Sequence, residues 1–388
     1  MDTTDPASLL GLRPFYVMEI TARSKAVEAT GRTVMHMESG EPGAPPAPRV
    51  REAVAAVLDL PQHYTASSGQ RELRDALAAY YLAQHGVSVD PEQIIVTMGS
   101  SAGFVLTFVG AFEKGARIAV TRPGYPAYLN TMDGLGYQAI EIPVHAANNW
   151  RLTAADIEAA YRRTPFEGLL FASPANPTGA AVTREGLAEI VETCQRLGVR
   201  LISDEIYHGL DFRGPSTSAL EFTSDALVLN SFSKYYCMTG WRVGWMVVPP
   251  ALLRRIDMLQ QNLFISAPTL SQVGARVALG ERDYSEEQKA LYRGNRELFG
   301  AGLAQLGLDM GHEPDGAFYA LVDFSRYTND SLSFCKDMLD QVGVAATPGI
   351  DFDRVNGHRF VRFSYAGTPQ TVAEGINRIE SYLKRLER

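Results

Sequence analysis

The sequence predicts an α/β protein: a large domain with a mostly parallel seven-stranded sheet covered by helices, plus a smaller α+β domain from the N- and C-terminal parts. Three observations lead there. Short apolar runs recur between amphipathic stretches as far as Val248. Most of these runs lack polar alternation, as expected of strands covered by helices on both faces. After Pro249-Pro250 the pattern changes to long helical stretches and then to a second, smaller set of strands.

Taken in order, the Pro-rich segment Glu41 to Pro48 reads as a crossing between domains. It sets the expected division: 49–285 for the large domain, 1–48 and 286–388 for the small one. The apolar runs are Ile94–Met98, Ile118–Thr121, Ala139–Val144, Leu169–Ala172, Leu201–Ser203, Leu227–Asn230 and Trp245–Val248. Segments between them, such as Arg184–Leu197, have helical periodicity, and strands alternating with helices imply parallel pairing. From Ile94 to Phe112 no residue is charged, nearly a membrane-spanning length. Its β-branched first half and the interruption at Gly99-Ser100-Ser101 instead predict a strand, a turn and a buried helix. Ala251 to Leu303 is helix-rich, Gly316 to Val322 opens the second strand set, and Phe360 to Tyr365 alternates as a half-buried strand should.

A chain of 388 residues is long enough for two interlocked domains. Its 46% hydrophobic and 21% charged fractions are ordinary for a globular protein. A net charge of −8 leaves no basic surplus for neutralising nucleic-acid phosphates. Cys194, Cys237 and Cys335 are scattered, with no C-x-x-C pair, which points to a reducing, cytoplasmic setting and no structural metal. Met1 to Gly11 carries acidic residues where a signal peptide has basic ones.

The chemistry concentrates in the run Ser231-Phe232-Ser233-Lys234, followed by Gly240-Trp241-Arg242. An isolated lysine is usually a solvated surface residue. Here hydroxyls flank it and an arginine follows, so the amine can form a Schiff base with a carbonyl cofactor while the other groups donate to a doubly charged oxyanion. Asp204 closes an apolar run in Ser203-Asp204-Glu205-Ile206-Tyr207; on its own it reads as a helix cap. Asn176-Pro177-Thr178-Gly179 reads alone as a turn. Gly99-Ser100-Ser101 at a helix start is a plausible anion cradle. These motifs follow strand carboxyl ends, where open α/β sheets bind ligands.

Together they resemble the pyridoxal-phosphate-dependent aminotransferases of class I/II (aspartate-aminotransferase fold, fold type I), from about Phe15 to the C-terminus. The resemblance implies pyridoxal 5′-phosphate as cofactor of the large domain and assigns the residues as follows. Lys234 holds the cofactor and carries the substrate's Cα proton, which requires an amine that can be neutral. Asp204 faces the pyridine nitrogen and keeps the ring an electron sink. Tyr207 and Asn176 donate to the phenolic oxygen, and Tyr125 stacks on the ring. Gly99, Ser100, Ser101, Ser231, Ser233 and Arg242 hold the phosphate. Tyr64 reaches the neighbouring subunit's phosphate, so a homodimer is expected, while His63 beside it is a surface residue. Arg362 forks onto the substrate α-carboxylate, beside Asn176 and the Gly40 backbone.

The implied activity is transfer of an amino group between an L-amino acid and a 2-oxo acid. Ser101 stands where some acidic-substrate relatives carry a lysine, and no second cationic motif is evident. An apolar or aromatic donor is therefore favoured, with Phe15, Tyr16 and Tyr319 as candidate pocket residues. A pyridoxal-phosphate-dependent β-lyase of the same fold is the alternative reading. A non-enzymatic cofactor-binding regulator is remote, since it needs a DNA-binding module and a basic face that the sequence lacks. Neither nucleic acid nor membrane is an expected partner.

Overall fold

The computed structural model describes residues 13–387; the reading of Met1 to Gly11 lies outside them, as does the start of the expected 1–48 segment. The strands are β1 (Met35–His36), β2 (Ile94–Thr97), β3 (Arg117–Arg122), β4 (Gln138–Pro143), β5 (Gly168–Ala172), β6 (Arg200–Asp204), β7 (Leu227–Ser231), β8 (Gly244–Val247), β9 (Tyr319–Asp323), β10 (Val344–Ala345), β11 (Thr347–Pro348) and β12 (Phe360–Ser364). Seven of them form one sheet in the order β2-β8-β7-β6-β5-β3-β4. Every apolar run read from the sequence is a strand of this sheet, with each end within one residue of expectation.

Alternate residues of these strands feed two cores. Leu169, Phe171, Leu201 and Val228 enter the larger one, while Leu170, Ile202 and Leu229 enter the other with Phe104 and Phe108 of helix Gly99–Ala111. Burial on both faces explains the unbroken apolar runs. The edge strand β4, with only one fully buried residue, is the exception. Helix Arg184–Leu197 has the expected bounds: the Thr183 hydroxyl accepts from the Gly186 N–H at its start, and Gly198 ends it in the left-handed conformation. The uncharged stretch 94–112 is β2, a turn and helix Gly99–Ala111. No helix among the described residues is long and apolar enough to cross a membrane.

Pairing is parallel except at β8, which runs antiparallel to both its neighbours. That reversal shapes the site. Gly244, the first residue of β8, pairs with Thr97 at the carboxyl end of β2 and with Ser231 at the carboxyl end of β7. Arg242, just ahead of β8, therefore arrives at the same edge as Gly99-Ser100-Ser101, which follows β2, and Ser233-Lys234, which follows β7. Asp204 ends β6 beside Ala172 of β5, whose continuation carries Asn176.

The C-terminal part builds the three-stranded sheet β11-β12-β9, and β1 pairs in parallel with β10. Helix Arg282–Gln305 runs unbroken across the expected boundary between 285 and 286. One expectation is corrected here: β12 is buried along its whole length, not half-buried. Phe363 packs on Phe299 and Phe324, while the guanidinium of Arg362 lies between the rings of Tyr319 and Phe352, so neither face meets solvent.

Candidate active site

A cleft of about 290 Å³ opens at the carboxyl edge of the seven-stranded sheet. Lys234, Asp204, Tyr207, Tyr125 and Asn176 line it, as do Ser100, Ser101, Ser233 and Arg242 at one end and Gly40 and Arg362 at the other. Three of the residues assigned to the cofactor do not. Gly99 acts through its backbone: its φ is +72°, and a side chain there would meet Cζ of Arg242 at 2.9 Å, so the guanidinium can lie against the start of helix Gly99–Ala111. Ser231 is turned inward, its hydroxyl 2.9 Å from that of Ser233 and accepting from the Ser233 N–H at 3.1 Å, so it props Ser233. Tyr64 is 81% exposed and away from the cleft of its own chain, and His63 is exposed beside it.

Lys234 Nζ donates to the Gly40 carbonyl at 2.6 Å. Burial lowers the amine's pKa to about 8; Glu41 opposes the shift, and Arg362 and Arg242 reinforce it. A neutral amine, fit for attack on a carbonyl or for taking a proton, is thereby accessible near neutrality.

Asp204 is buried at the end of β6. The Tyr128 hydroxyl donates to Oδ2, and the Ile206 N–H donates to Oδ1 at 3.1 Å. Burial raises the carboxyl to about 6, held back by those two donors and by Lys234. Sequence reasoning missed Tyr128. Its signal was its position three residues after Tyr125 at the start of helix Pro126–Leu135, which sets both rings toward one side.

Arg362 is 4% exposed, yet its hydrogen-bond partners are all neutral. They are Asn176 Oδ1 at 3.0 Å, the Glu38 carbonyl at 2.5 Å and Thr347 Oγ1 at 3.0 Å. Its Nε has no partner, and its Cζ lies 4.5 Å from the ring centre of Tyr319 and 4.8 Å from that of Phe352. A guanidinium buried without a countercharge is costly, and an incoming anion relieves that cost. Glu38, Thr347 and Phe352 come from distant segments that no motif marked.

The remaining wall is apolar: Phe15, Val17 and Met18 from the start of helix Tyr16–Glu28, with Ile206 and Phe352. That helix has no capping side chain of its own. Asp351 supplies one from far along the chain, accepting from the Tyr16 and Val17 N–H groups at 2.9 Å each. Of the pocket residues expected from sequence, Phe15 and Tyr319 line the cleft and Tyr16 does not. Its backbone is engaged by Asp351, and with no local cap the helix start could not be read from the chain.

The donor set fits a phosphorylated, carbonyl-bearing heteroaromatic ring. Hydroxyls, free helix amides and Arg242 form an anion cradle at one end, a lysine amine stands at the centre, and a buried carboxylate suits a ring nitrogen. Among the described residues no cluster of His, Cys, Asp and Glu is suited to a metal.

Comparison with known proteins agrees with this geometry. The family described as Aminotransferase class I and II matches residues 32–379. The valine–pyruvate aminotransferase of Mycobacterium tuberculosis is similar, at 43% identity over 98% of this chain and 99% of that protein. The crystal structure of an aminotransferase from Mycobacterium tuberculosis superposes with a TM-score of 0.93 at 42% identity, covering 99% of this chain and 100% of that one. Aspartate aminotransferase from Thermus thermophilus with maleate gives a TM-score of 0.90 at 27% identity, over 96% of this chain and 98% of that one.

Proposed function

The chain belongs to the class I and II aminotransferases, and on that premise we propose that it moves the amino group of an apolar L-amino acid, valine-like before acidic, to a 2-oxo acid such as pyruvate. Its cofactor is pyridoxal 5′-phosphate, that of the family. When bound, the cofactor supplies a carbonyl carbon and an electron-withdrawing ring.

Every other role falls to the chain's own side chains. Lys234 is the covalent attachment point and the base that moves the proton from the substrate's Cα. Its lowered pKa serves both tasks, and Gly40 O holds the free amine in place. Asp204, fixed by Tyr128 and Ile206, would hold a proton on the ring nitrogen. Ser100, Ser101, Ser233 and Arg242 grip the phosphate, with Gly99 admitting the arginine and Ser231 propping Ser233. Tyr125 would stack on the ring, and Tyr207 and Asn176 would donate to its phenolic oxygen; all three line the cleft. Arg362 takes the substrate carboxylate.

The observation that carries the substrate class is a count of cations. Those lining the cleft are Lys234, Arg242 and Arg362, and each already has a task. Among the described residues of one chain none is left for a second carboxylate, while Phe15, Val17, Met18 and Phe352 offer an apolar surface and Glu41 a repelling charge. The Mycobacterium relative named for valine and pyruvate supports the same class.

A homodimer belongs to this reading. Leu58, Leu60, Tyr64, Met258, Leu263 and Ile265 are all more than half exposed. The Ser67 hydroxyl donates to Asp257 at 2.6 Å, and that of Thr269 donates to the His63 carbonyl at 2.7 Å, so these segments form one face. A second copy there would cover these exposed apolar side chains and bring Tyr64 to the neighbouring phosphate. The division at 49–285 and the cytoplasmic, reducing setting are proposed with it; the three cysteines are free and buried.

The test is the visible spectrum of the loaded enzyme as L-valine, L-phenylalanine and L-aspartate are added separately without oxo acid. Loss of the cofactor's visible band with valine, restored by pyruvate, and little response to aspartate are expected. A response to aspartate alone would contradict the substrate class, and continuous release of ammonia would mean a lyase.

A further inference from the structure

Tyr319 enters above as a lining residue of the cleft, yet it touches three of the groups that carry the assigned roles. It opens β9, where it pairs with Ser364, and Leu321 pairs with Arg362. Tyr319 and Arg362 are therefore diagonal neighbours on one face of the sheet, within reach for an aromatic and a long side chain. The ring centre lies 4.5 Å from Cζ of Arg362. The hydroxyl lies 2.9 Å from that of Tyr207, with the rings nearly perpendicular at 85°. It also abuts Gly40, where an added Cβ would sit 2.8 Å from it, so the missing side chain makes room for the phenol. Both tyrosines are buried, at 1% and 4% exposure.

Proton accounting gives this pair a direction. Each phenol has one proton and accepts through its lone pairs. If Tyr207 is to donate to the cofactor, its proton cannot serve Tyr319, so Tyr319 must donate to Tyr207. Burial raises both phenols, and the Arg362 guanidinium opposes the rise in each, so both stay protonated and able to donate. Donation into the Tyr207 oxygen in turn polarises its own O–H.

We propose that Tyr319 is a positioning residue with two separable parts: its hydroxyl orients and strengthens the Tyr207 donor, and its ring holds the Arg362 guanidinium flat for the substrate carboxylate. This rests on the roles given to Tyr207 and Arg362 above.

The experiment is a pH titration of the visible band of the loaded enzyme in a double-mutant cycle, with KM for the amino donor measured alongside. Donors to the phenolic oxygen stabilise the anion left when the chromophore loses its proton, so removing one raises the midpoint. Tyr207→Phe should raise it by about one unit. Tyr319→Phe should raise it by about 0.3 unit, with KM changed less than about twofold because the ring remains. The double variant should match Tyr207→Phe alone. Tyr319→Leu removes the ring too and should raise KM roughly tenfold. An unmoved midpoint in Tyr319→Phe, or shifts that add in the double variant, would overturn the inference while leaving the site assignment standing. A midpoint unmoved by Tyr207→Phe would instead overturn the Tyr207 assignment and this inference with it. If Tyr319→Leu does not fold, the two Phe variants still decide.

Discussion

The two ends of the cleft are built differently. At the proposed phosphate end, Ser100, Ser101 and Ser233 lie just beyond the end of a strand and Arg242 just ahead of one, and the pairing of Gly244 with Thr97 and Ser231 brings them together. At the substrate end, Arg362 reaches Asn176 across 186 residues of sequence and the Glu38 carbonyl across 324, and Asp351 caps a helix 335 residues away. One end follows from sheet register and the other from tertiary packing. The first should hold its ligand almost independently of the second.

Replacing Lys234, which stands between them, should have the largest effect. Lys234→Met is expected to lower turnover by about 10⁴-fold or more, with the fold intact by circular dichroism. Retained activity would remove the centre from the account.

Exchanging the two arginines sharpens the comparison. Arg362→Lys keeps a charge but loses the planar fork, and kcat/KM should fall roughly 10- to 100-fold with cofactor affinity unchanged. Arg242→Lys should weaken cofactor retention about tenfold in equilibrium dialysis, with KM for the amino acid little altered once the enzyme is saturated. If either variant changed both quantities equally, the ends would not be separable.

Without cofactor, the lysine's lowered pKa becomes a stability statement. The folded amine titrates at about 8, below its ordinary 10.5, so between those values the unfolded chain binds more protons and stability rises with pH. At pH 7 the cost of burying the charged amine is present in full. Lys234→Met apoprotein should therefore be more stable than the parent at pH 7, by about 1–2 kcal/mol after allowing for solvent in the cleft. That gap should close as the pH rises through this window, and urea unfolding across the range checks it. A gap independent of pH would contradict the burial argument.

The smallest effect is expected at the far edge of the substrate end. Asp351→Asn keeps one acceptor for the Tyr16 and Val17 N–H groups but loses the charge at a helix N-terminus. Stability should drop by about 0.5–1 kcal/mol, and KM for apolar donors should rise about three- to fivefold as Phe15 and Val17 loosen. An unchanged KM would mean that this wall does not position the substrate.

The same contrast explains what the sequence made legible. Unbroken apolar runs covered by helices located all seven strands of the main sheet, and the motifs after their carboxyl ends led to the cleft that Ser100, Ser101, Asp204, Ser233 and Lys234 line. Arg362 and Gly40 were readable only through resemblance, because nothing local says that a buried arginine on β12 lacks a countercharge. Thr347, Phe352, Val17 and Tyr128 were missed because contacts between distant segments place them. Ser231 and Gly99 were read as contacts; the Ser231 hydroxyl meets Ser233 and Gly99 lies against the Arg242 guanidinium, positions that no motif distinguishes from the cleft wall. Tyr64 faces outward, so the role proposed for it requires a second chain.

The most direct test of the central claim is borohydride reduction of the loaded enzyme followed by peptide mass mapping. A single phosphopyridoxyl mass increment is expected, on the peptide containing Lys234. An increment on any other lysine, or none in an enzyme that still shows the visible band, would contradict it.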